Sequence, residues 1–513
     1  MNLFRAFATV SGLTMLSRAL GLVREILIAA LLGAGPIADA FFVAFRLPNL
    51  FRRFFAEGAF NMAFVPLFAK RLEAEGPQAA RRFGEEVLAC LLCFVFTLTL
   101  FAQLAMPWLI YGIAAGFADD PEKLALATTF SIIQFPYLMF MSLVALFAGV
   151  LNSLHKFAAA AAAPILLNLS MIAGIGLAWA LERDFGLWLS YAVFIAGVLQ
   201  FWLVAGAAKK AGMALRLRWP RWTNDIKQLL ALGAPGIFAG GVTQINILIG
   251  TTIATFFDGA VAWLTYADRL YQLPLGVVGV ALSVALLPDL SRRMRADDMD
   301  GAKKTLRQAT VISMAFAMPA AAVLICIPDI FVAVLFGRGA FGADDVTATA
   351  TAVALFAIGL PAYVLIKSLS PAYFAAEDTR TPVIYAAVST AFATGLSIGL
   401  ALFIAWIAIP IGTAAGAWLN VILLERGLRR RDAAAFDSWV IGRVVRFVLA
   451  TLAMVAGLLW VTRSWPDIFL VGGGRYLAVL GLVVGGAAVF GAVALLCGGI
   501  RKSDLGSVKN PRF

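Results

Sequence analysis

Apolar runs of roughly 20 residues or more, enough for a helix to cross a bilayer, follow one another along almost the whole chain, with short polar breaks between them. The pattern predicts spanning helices near 9–33, 37–69, 84–113, 124–153, 158–181, 187–208, 228–257, 260–290, 307–335, 346–375, 382–405, 410–425, 444–462 and 474–499. The expectation is an all-α membrane protein of about fourteen transmembrane helices, since a helix satisfies its own backbone groups in lipid. The break at 409–412 decides the parity. If the chain only kinks there, one span is lost and the C-terminus changes side.

A repeat runs beneath this pattern. Pro66-Leu67 returns as Pro288-Asp289, 222 residues on. Pro107 pairs with Pro328 at 221, Ala118-Asp119-Asp120 with Ala343-Asp344-Asp345 at 225, and Pro136 with Pro361 at that same spacing. Four landmarks at a near-constant offset indicate two pseudo-symmetric six-helix lobes, 1–221 and 222–431, followed by two additional C-terminal helices and a tail in 432–513. Parallel halves of this kind suit alternating access around a site near the membrane midplane.

Composition agrees with the pattern. Hydrophobic residues make up 62% and charged residues 14%, against roughly 45–50% and 25% in soluble domains. The formal charge of +12 raises nucleic acid as a partner, but its distribution argues against one. Most cations fall in every second break: Arg5, Lys70/Arg71/Arg81/Arg82, Lys156, Lys209/Lys210/Arg216/Arg218/Arg221, Arg292/Arg293/Arg295/Lys303/Lys304/Arg307, Arg426/Arg429/Arg430/Arg431 and Arg501/Lys502. The alternate breaks hold only Lys123, Arg183, Arg338, Arg463 and Arg475 as scattered cations. This is positive-inside topology, with both termini expected on the cytoplasmic side of the membrane. The first apolar run carries Arg18, Arg24 and Glu25 and reads as a spanning helix rather than a cleaved signal peptide.

Little else suggests covalent chemistry. Cys90 and Cys93 lie inside an apolar run without a second ligand pair, and His155 stands alone beside Lys156, so no metal and no cofactor are expected. There is no GxxxxGK[ST] phosphate loop. Gly236/Gly240 and Gly412/Gly416 read as pairs that let helices pack closely.

The informative residues are charges at membrane depth. They are Arg18, Arg24 and Glu25 in the first helix; Asp39, Arg46, Arg52, Arg53 and Glu57 in the second; Asp268 and Arg269 in the eighth; and Lys367 in the tenth. Each cation facing lipid costs about 2.5–3.5 kcal/mol on the gentlest scale, so the set would cost on the order of 20 kcal/mol. Part of it can be structural. Glu25, Asp39, Glu57 and Asp268 can neutralise neighbours, Arg53 and Glu57 stand one turn apart, and Arg46 and Arg53 can snorkel. Four acids against seven cations still leave a positive surplus, which points to an anionic ligand in a water-filled cavity. Arg18 and Arg24 are separated by roughly 9 Å along the helix and roughly 120° around it, suiting two contacts on an extended anion. Arginine forks match phosphate. Pro48 is expected to interrupt the second helix and bend the segment carrying Asn49 and Arg52.

Ser17-Arg18-Ala19-Leu20-Gly21-Leu22-Val23-Arg24-Glu25, Asp39-Ala40-Phe41, Arg46-Leu47-Pro48-Asn49 and Arg52-Arg53-Phe54-Phe55-Ala56-Glu57-Gly58-Ala59-Phe60 resemble the MurJ/MviN family. Tyr266-Ala267-Asp268-Arg269-Leu270, with Pro274, Gly276-Val277 and Gly279-Val280-Ala281 after it, is similar to that family's second half, as are Lys367, Pro371-Ala372-Tyr373-Phe374 and Thr381-Pro382. The resemblance covers essentially the whole chain. It implies the two-lobed fold of the multidrug/oligosaccharidyl-lipid/polysaccharide exporters. It further implies translocation of lipid II, the undecaprenyl-pyrophosphate-linked peptidoglycan precursor, from the cytoplasmic to the periplasmic leaflet. It maps the family's cavity arginines onto Arg18, Arg24, Arg52 and Arg269, with Asp39, Asn49 and Glu57 beside them and Arg53, Asp268 and Lys367 in support. The last two helices would hold the polyprenyl tail. Membrane lipids, and cell-wall synthesis and division proteins, are the implied partners. Some members are associated with a sodium site using acids; here 229–257 has no acid, with Thr243, Gln244 and Asn246 in its place. Membrane potential or another monovalent ion is then the expected coupling.

Three other classes compete. An exporter of drugs or of other lipid-linked oligosaccharides would share the fold, but a cationic-drug site favours buried acids over arginines. A membrane transferase needs a catalytic acid or histidine at a wet face, and a channel needs a filter motif; neither is evident. No enzyme activity is expected.

Overall fold

The computed structural model describes residues 3–52, 59–470 and 474–500, and among these the side chains other than those of 3–8, 51, 52, 59, 234–243, 277–285 and 470. The elements are α1 (Leu3–Leu32), α2 (Pro36–Arg52), α3 (Ala59–Ala74), α4 (Pro77–Leu104), α5 (Met106–Ile113), α6 (Pro121–Gln134), α7 (Tyr137–Ser153), α8 (Ala158–Ala180), α9 (Phe185–Lys210) and α10 (Asn224–Thr255). They continue as α11 (Ala260–Arg295), α12 (Met299–Cys326), α13 (Pro328–Leu335), α14 (Ala343–Ile358), α15 (Leu360–Ala375), α16 (Arg380–Ile404), α17 (Ala408–Arg430), α18 (Ser438–Ser464), α19 (Asp467–Leu470) and α20 (Arg475–Leu496). No strand occurs among the described residues.

Local chemistry sets the starts. Asp120, Asp184, Asp298 and Asp437 each accept a hydrogen bond from a backbone amide of the first turn of α6, α9, α12 and α18, as an N-cap does. The repeat is visible element by element. α4 and α12 are both 28 residues long, and both give way to an 8-residue helix, α5 or α13. Pro107 and Pro328 open those short helices, where a missing N–H costs nothing.

Nine stretches among the described residues are long and apolar enough to cross a membrane by length and composition. Their outward faces carry exposed Phe96, Phe101, Leu104, Leu452, Leu477 and Leu496, an apolar surface that water would not tolerate and lipid would. The charge-bearing α1, α2 and α11 are not among the nine.

The contacts divide the chain into two compact units, Met1–Ala262 with Gly339–Phe341, and Trp263–Arg338 with Gly342–Phe513. Within the first unit α10 packs on α3 and is held there by side-chain bonds. Thr252 Oγ1 donates to the Ile113 carbonyl at 2.8 Å, the Gly116 amide donates to Thr255 Oγ1 at 3.1 Å, and Arg71 pairs with Asp225 at 2.5 Å.

In the second unit, α16 and α17 form a tight antiparallel hairpin. A Cβ on Gly416 would lie 2.6 Å from Ala393 Cβ, and one on Gly412 would lie 2.7 Å from the Ala393 carbonyl. The chain therefore reverses rather than kinks, but at Ala405–Ile407, before the expected 409–412. Ala405 takes φ 54°. Pro410 does not break the chain because it sits in the first turn of α17, where its absent N–H has no intrahelical partner to lose. The Gly236/Gly240 pair lies outside the described side chains.

Candidate functional site

Two of the buried polar clusters in the first unit include charged residues singled out in the sequence. The first is built on α1 and α8. Arg24 and Glu25 are 6% and 2% exposed, and Arg24 Nη2 donates to Glu25 Oε1. Arg24 Nη1 donates to Asn168 Oδ1 on α8 at 2.9 Å and approaches Met171 Sδ at 3.6 Å. The Asn168 amide in turn donates to the Ser17 carbonyl at 2.8 Å. Helical side chains lean toward the N-terminus, so Arg24 reaches back along α1 to where Asn168 stands over Gly21. Arg18 is exposed on the same helix. The two arginines do not share one environment, as their spacing around the helix implies.

The second cluster is built on Asp39, expected beside the arginines: it is fully buried and bound to Lys123 Nζ at 2.9 Å. Its two oxygens also accept from the Gly259 and Ala262 amides, each at 2.9 Å. Lys123 makes a second pair with Asp258 at 3.0 Å and lies 4.5 Å from the centre of the Phe117 ring. A cation read as one of a scattered few in its break is thus the partner of the buried acid. The charge surplus among the spanning residues has to be counted without Asp39.

Along α2, Arg46 donates to Thr251 Oγ1 on α10, and the Asn49 amide donates to the Phe45 carbonyl at 2.8 Å. α2 continues through Pro48 to Arg52, against the expected interruption. The Asn49 bond adds a side-chain donor in the turn where proline removes a backbone one. The side chain of Arg52, and Arg53 and Glu57 entirely, lie outside the described residues. In the second unit Arg269 and Asp268 are half-buried on α11, Asp268 accepts from Gln272 Nε2, and Lys367 is half-buried on α15. The acid-free stretch 229–257 places Thr251 and Thr255 as buried polar groups of α10. Among the described residues no group of His, Cys, Asp and Glu could hold a metal ion.

Asn168 was missed by sequence reasoning. Its signal was an amide in the middle of an apolar helix, which needs a partner in that setting.

What arrangement of this kind serves is indicated by relatives. Residues 28–473 match the family model for lipid II flippase MurJ. The chain belongs to the MurJ family. A probable lipid II flippase MurJ of Rhizobium tropici is 44% identical to it, over 99% of this chain and 96% of the relative. The lipid II flippase MurJ of Burkholderia cenocepacia is 37% identical over 90% of each. Among solved structures, a lipid II flippase MurJ in an inward closed conformation superposes with a TM-score of 0.80 at 23% identity, covering 97% of this chain and 99% of that one. An inward-facing multidrug resistance MATE family transporter superposes at 0.70 with 14% identity, over 83% and 97%. The two superpositions establish the fold. Membership of the MurJ family and the run of apolar helices make the chain a multi-pass membrane protein.

Proposed function

We propose that the chain carries lipid II from the cytoplasmic to the periplasmic leaflet of the bacterial inner membrane, with both termini in the cytoplasm. The observation that carries this is the family match across residues 28–473. Arg24 supports it from the chain itself: a guanidinium 6% exposed on an apolar helix, balanced by one carboxylate, is held ready for an anion at a cost that structure alone does not require. In this reading Arg18, Arg24, Arg52 and Arg269 grip the pyrophosphate. Asn49 and Glu57 would assist them, and Arg53, Asp268 and Lys367 would support the site. Asp39 would shape the site from behind rather than touch the cargo. The step is translocation without covalent change, so no catalytic group is needed. Membrane potential supplies the driving force, and cell-wall synthesis enzymes would receive the product.

The test is transport itself. Purified chain in vesicles should move lipid II to the opposite leaflet unaltered, and cells depleted of it should accumulate lipid II on the cytoplasmic side. Vesicles that flip a phosphate-free polyprenol glycoside as fast as lipid II would sink the anion-gripping reading. Vesicles that flip neither would sink the flippase reading altogether.

A further inference from the structure

The Arg24 cluster holds more than an ion pair. Asn168 is 5% exposed and uses both ends of its amide. Oδ1 accepts from Arg24 Nη1 at 2.9 Å, and Nδ2 donates to the Ser17 carbonyl at 2.8 Å, with Ser17 Oγ at 3.4 Å. These partners fix the amide's orientation, because a guanidinium only donates and a carbonyl only accepts. Asn168 comes from α8 while Ser17, Gly21 and Arg24 share one face of α1, at i, i+4 and i+7. One side chain from a neighbouring helix therefore pins the arginine relative to the backbone that bears it. Glu25 supplies the only carboxylate bonded to this guanidinium among the described residues. Arg24 Nε is buried without a hydrogen-bond partner among them, so the arginine keeps one donor uncommitted.

We propose that Asn168 is a positioning residue for Arg24: its amide holds the guanidinium in place without adding charge, leaving the Arg24–Glu25 pair neutral and open to a diphosphate. This rests on the reading of Arg24 as part of the lipid II site. The chemistry of the amide is what matters. A leucine of the same size would free the guanidinium and leave the Ser17 carbonyl without its side-chain donor. An aspartate would keep a grip on Arg24 but give the cluster two carboxylates to one guanidinium, and so repel an anionic headgroup. It would also face the Ser17 carbonyl with an oxygen in place of an N–H.

The experiment measures lipid II affinity and thermal unfolding on the same nanodisc samples of the full chain. Arg24→Ala should abolish measurable binding. Asn168→Leu should weaken binding about tenfold, the worth of a hydrogen bond to a charged group. Asn168→Asp should weaken it at least as much, and adding Glu25→Gln to Asn168→Asp, which restores one carboxylate to one guanidinium, should recover most of the loss. Asn168 variants that bind like the wild type while Arg24→Ala does not would overturn the positioning role and leave the site reading standing. Wild-type binding by Arg24→Ala would overturn the site reading itself. Affinity that falls only in step with thermal stability, with no recovery in the double variant, would mark the amide as purely structural and also overturn the proposal.

Discussion

Lys123 Nζ lies 2.9 Å from Asp39 Oδ2 with the two side chains 2% and 0% exposed, so neither charge has water to fall back on. The pair ties the first turn of α2 to the first turn of α6, and the Gly259 and Ala262 amides complete the carboxylate's shell. Removing one partner of a buried pair costs about 3–5 kcal/mol because the other is left uncompensated. Asp39→Leu and Lys123→Met should each lower the thermal unfolding midpoint sharply, and the double variant should lose much less than the sum. Additive losses would mean that the two charges do not act as a unit. Asp39→Asn should keep residual transport, whereas Arg24→Ala should not.

The α16–α17 hairpin depends on bare backbone. A Cβ at position 416 would sit 2.6 Å from Ala393 Cβ and 2.9 Å from the Ser389 carbonyl, closer than packed atoms stand. Gly416→Leu should therefore destabilise the chain by about 1–3 kcal/mol, the usual cost of overpacking. An unchanged unfolding midpoint would mean that the helices are not in contact there.

The contrast between these two sites shows what a sequence makes readable. The hairpin was legible because Gly412 and Gly416 recur at helical spacing inside an apolar run, and that local pattern carries its own meaning. So did the repeat, since Pro107 and Pro328 open short helices at matching places. The Asp39–Lys123 pair was not legible, because 84 residues separate its members and nothing local marks which cation a buried acid will meet. Asn168 failed for the same reason: its two bonds reach 144 and 151 residues back along the chain. A charge such as Arg24 on an apolar helix needs a partner, while the identity of that partner, Glu25 with Asn168, is a property of the fold.

Acid should test one loop between helices. Asp378 stands between α15 and α16, where Thr381 and the Arg431 guanidinium, 2.5 Å away, hold its carboxyl well below the usual range. A depressed folded-state pKa means that the ionised form stabilises the fold in full above the unfolded value of about 3.9. That contribution is lost as pH falls below this value toward the folded one. Asp378→Asn should thus lower the unfolding midpoint at about pH 7 and converge with the wild type as pH drops through about 4. A deficit that stays constant into acid would assign the effect to shape rather than charge.

Topology gives a test that needs no cargo. The alternating basic breaks, with the chain reversing at Ala405–Ile407, predict that both termini lie on the positive side. A reporter active only in the periplasm should stay silent when fused after Phe513, and light up when inserted in the loop between α18 and α20. A strong C-terminal signal would require an odd number of crossings.

The last expectation concerns why the proposed grip uses arginine. A buried Arg24 balanced by Glu25 and steered by Asn168 is a cation whose direction is fixed as well as its charge. If cargo binding relieves the cost of bringing further positive charge into the cavity, binding favours whichever state gathers the arginines, and the transport cycle advances only when cargo is present. A lysine at the same position keeps the charge but presents a point rather than a planar fork, and cannot make paired bonds to a phosphate. Arg18→Lys, Arg24→Lys, Arg52→Lys and Arg269→Lys should each impair growth of cells depleted of the native flippase, at normal protein abundance. Arg24→Lys should impair it most, because one ammonium nitrogen cannot replace the two guanidinium nitrogens that bond Asn168 and Glu25 separately. If all four lysine variants support normal growth, the site works as a generic positive field, and a pyrophosphate clamp of fixed geometry is ruled out.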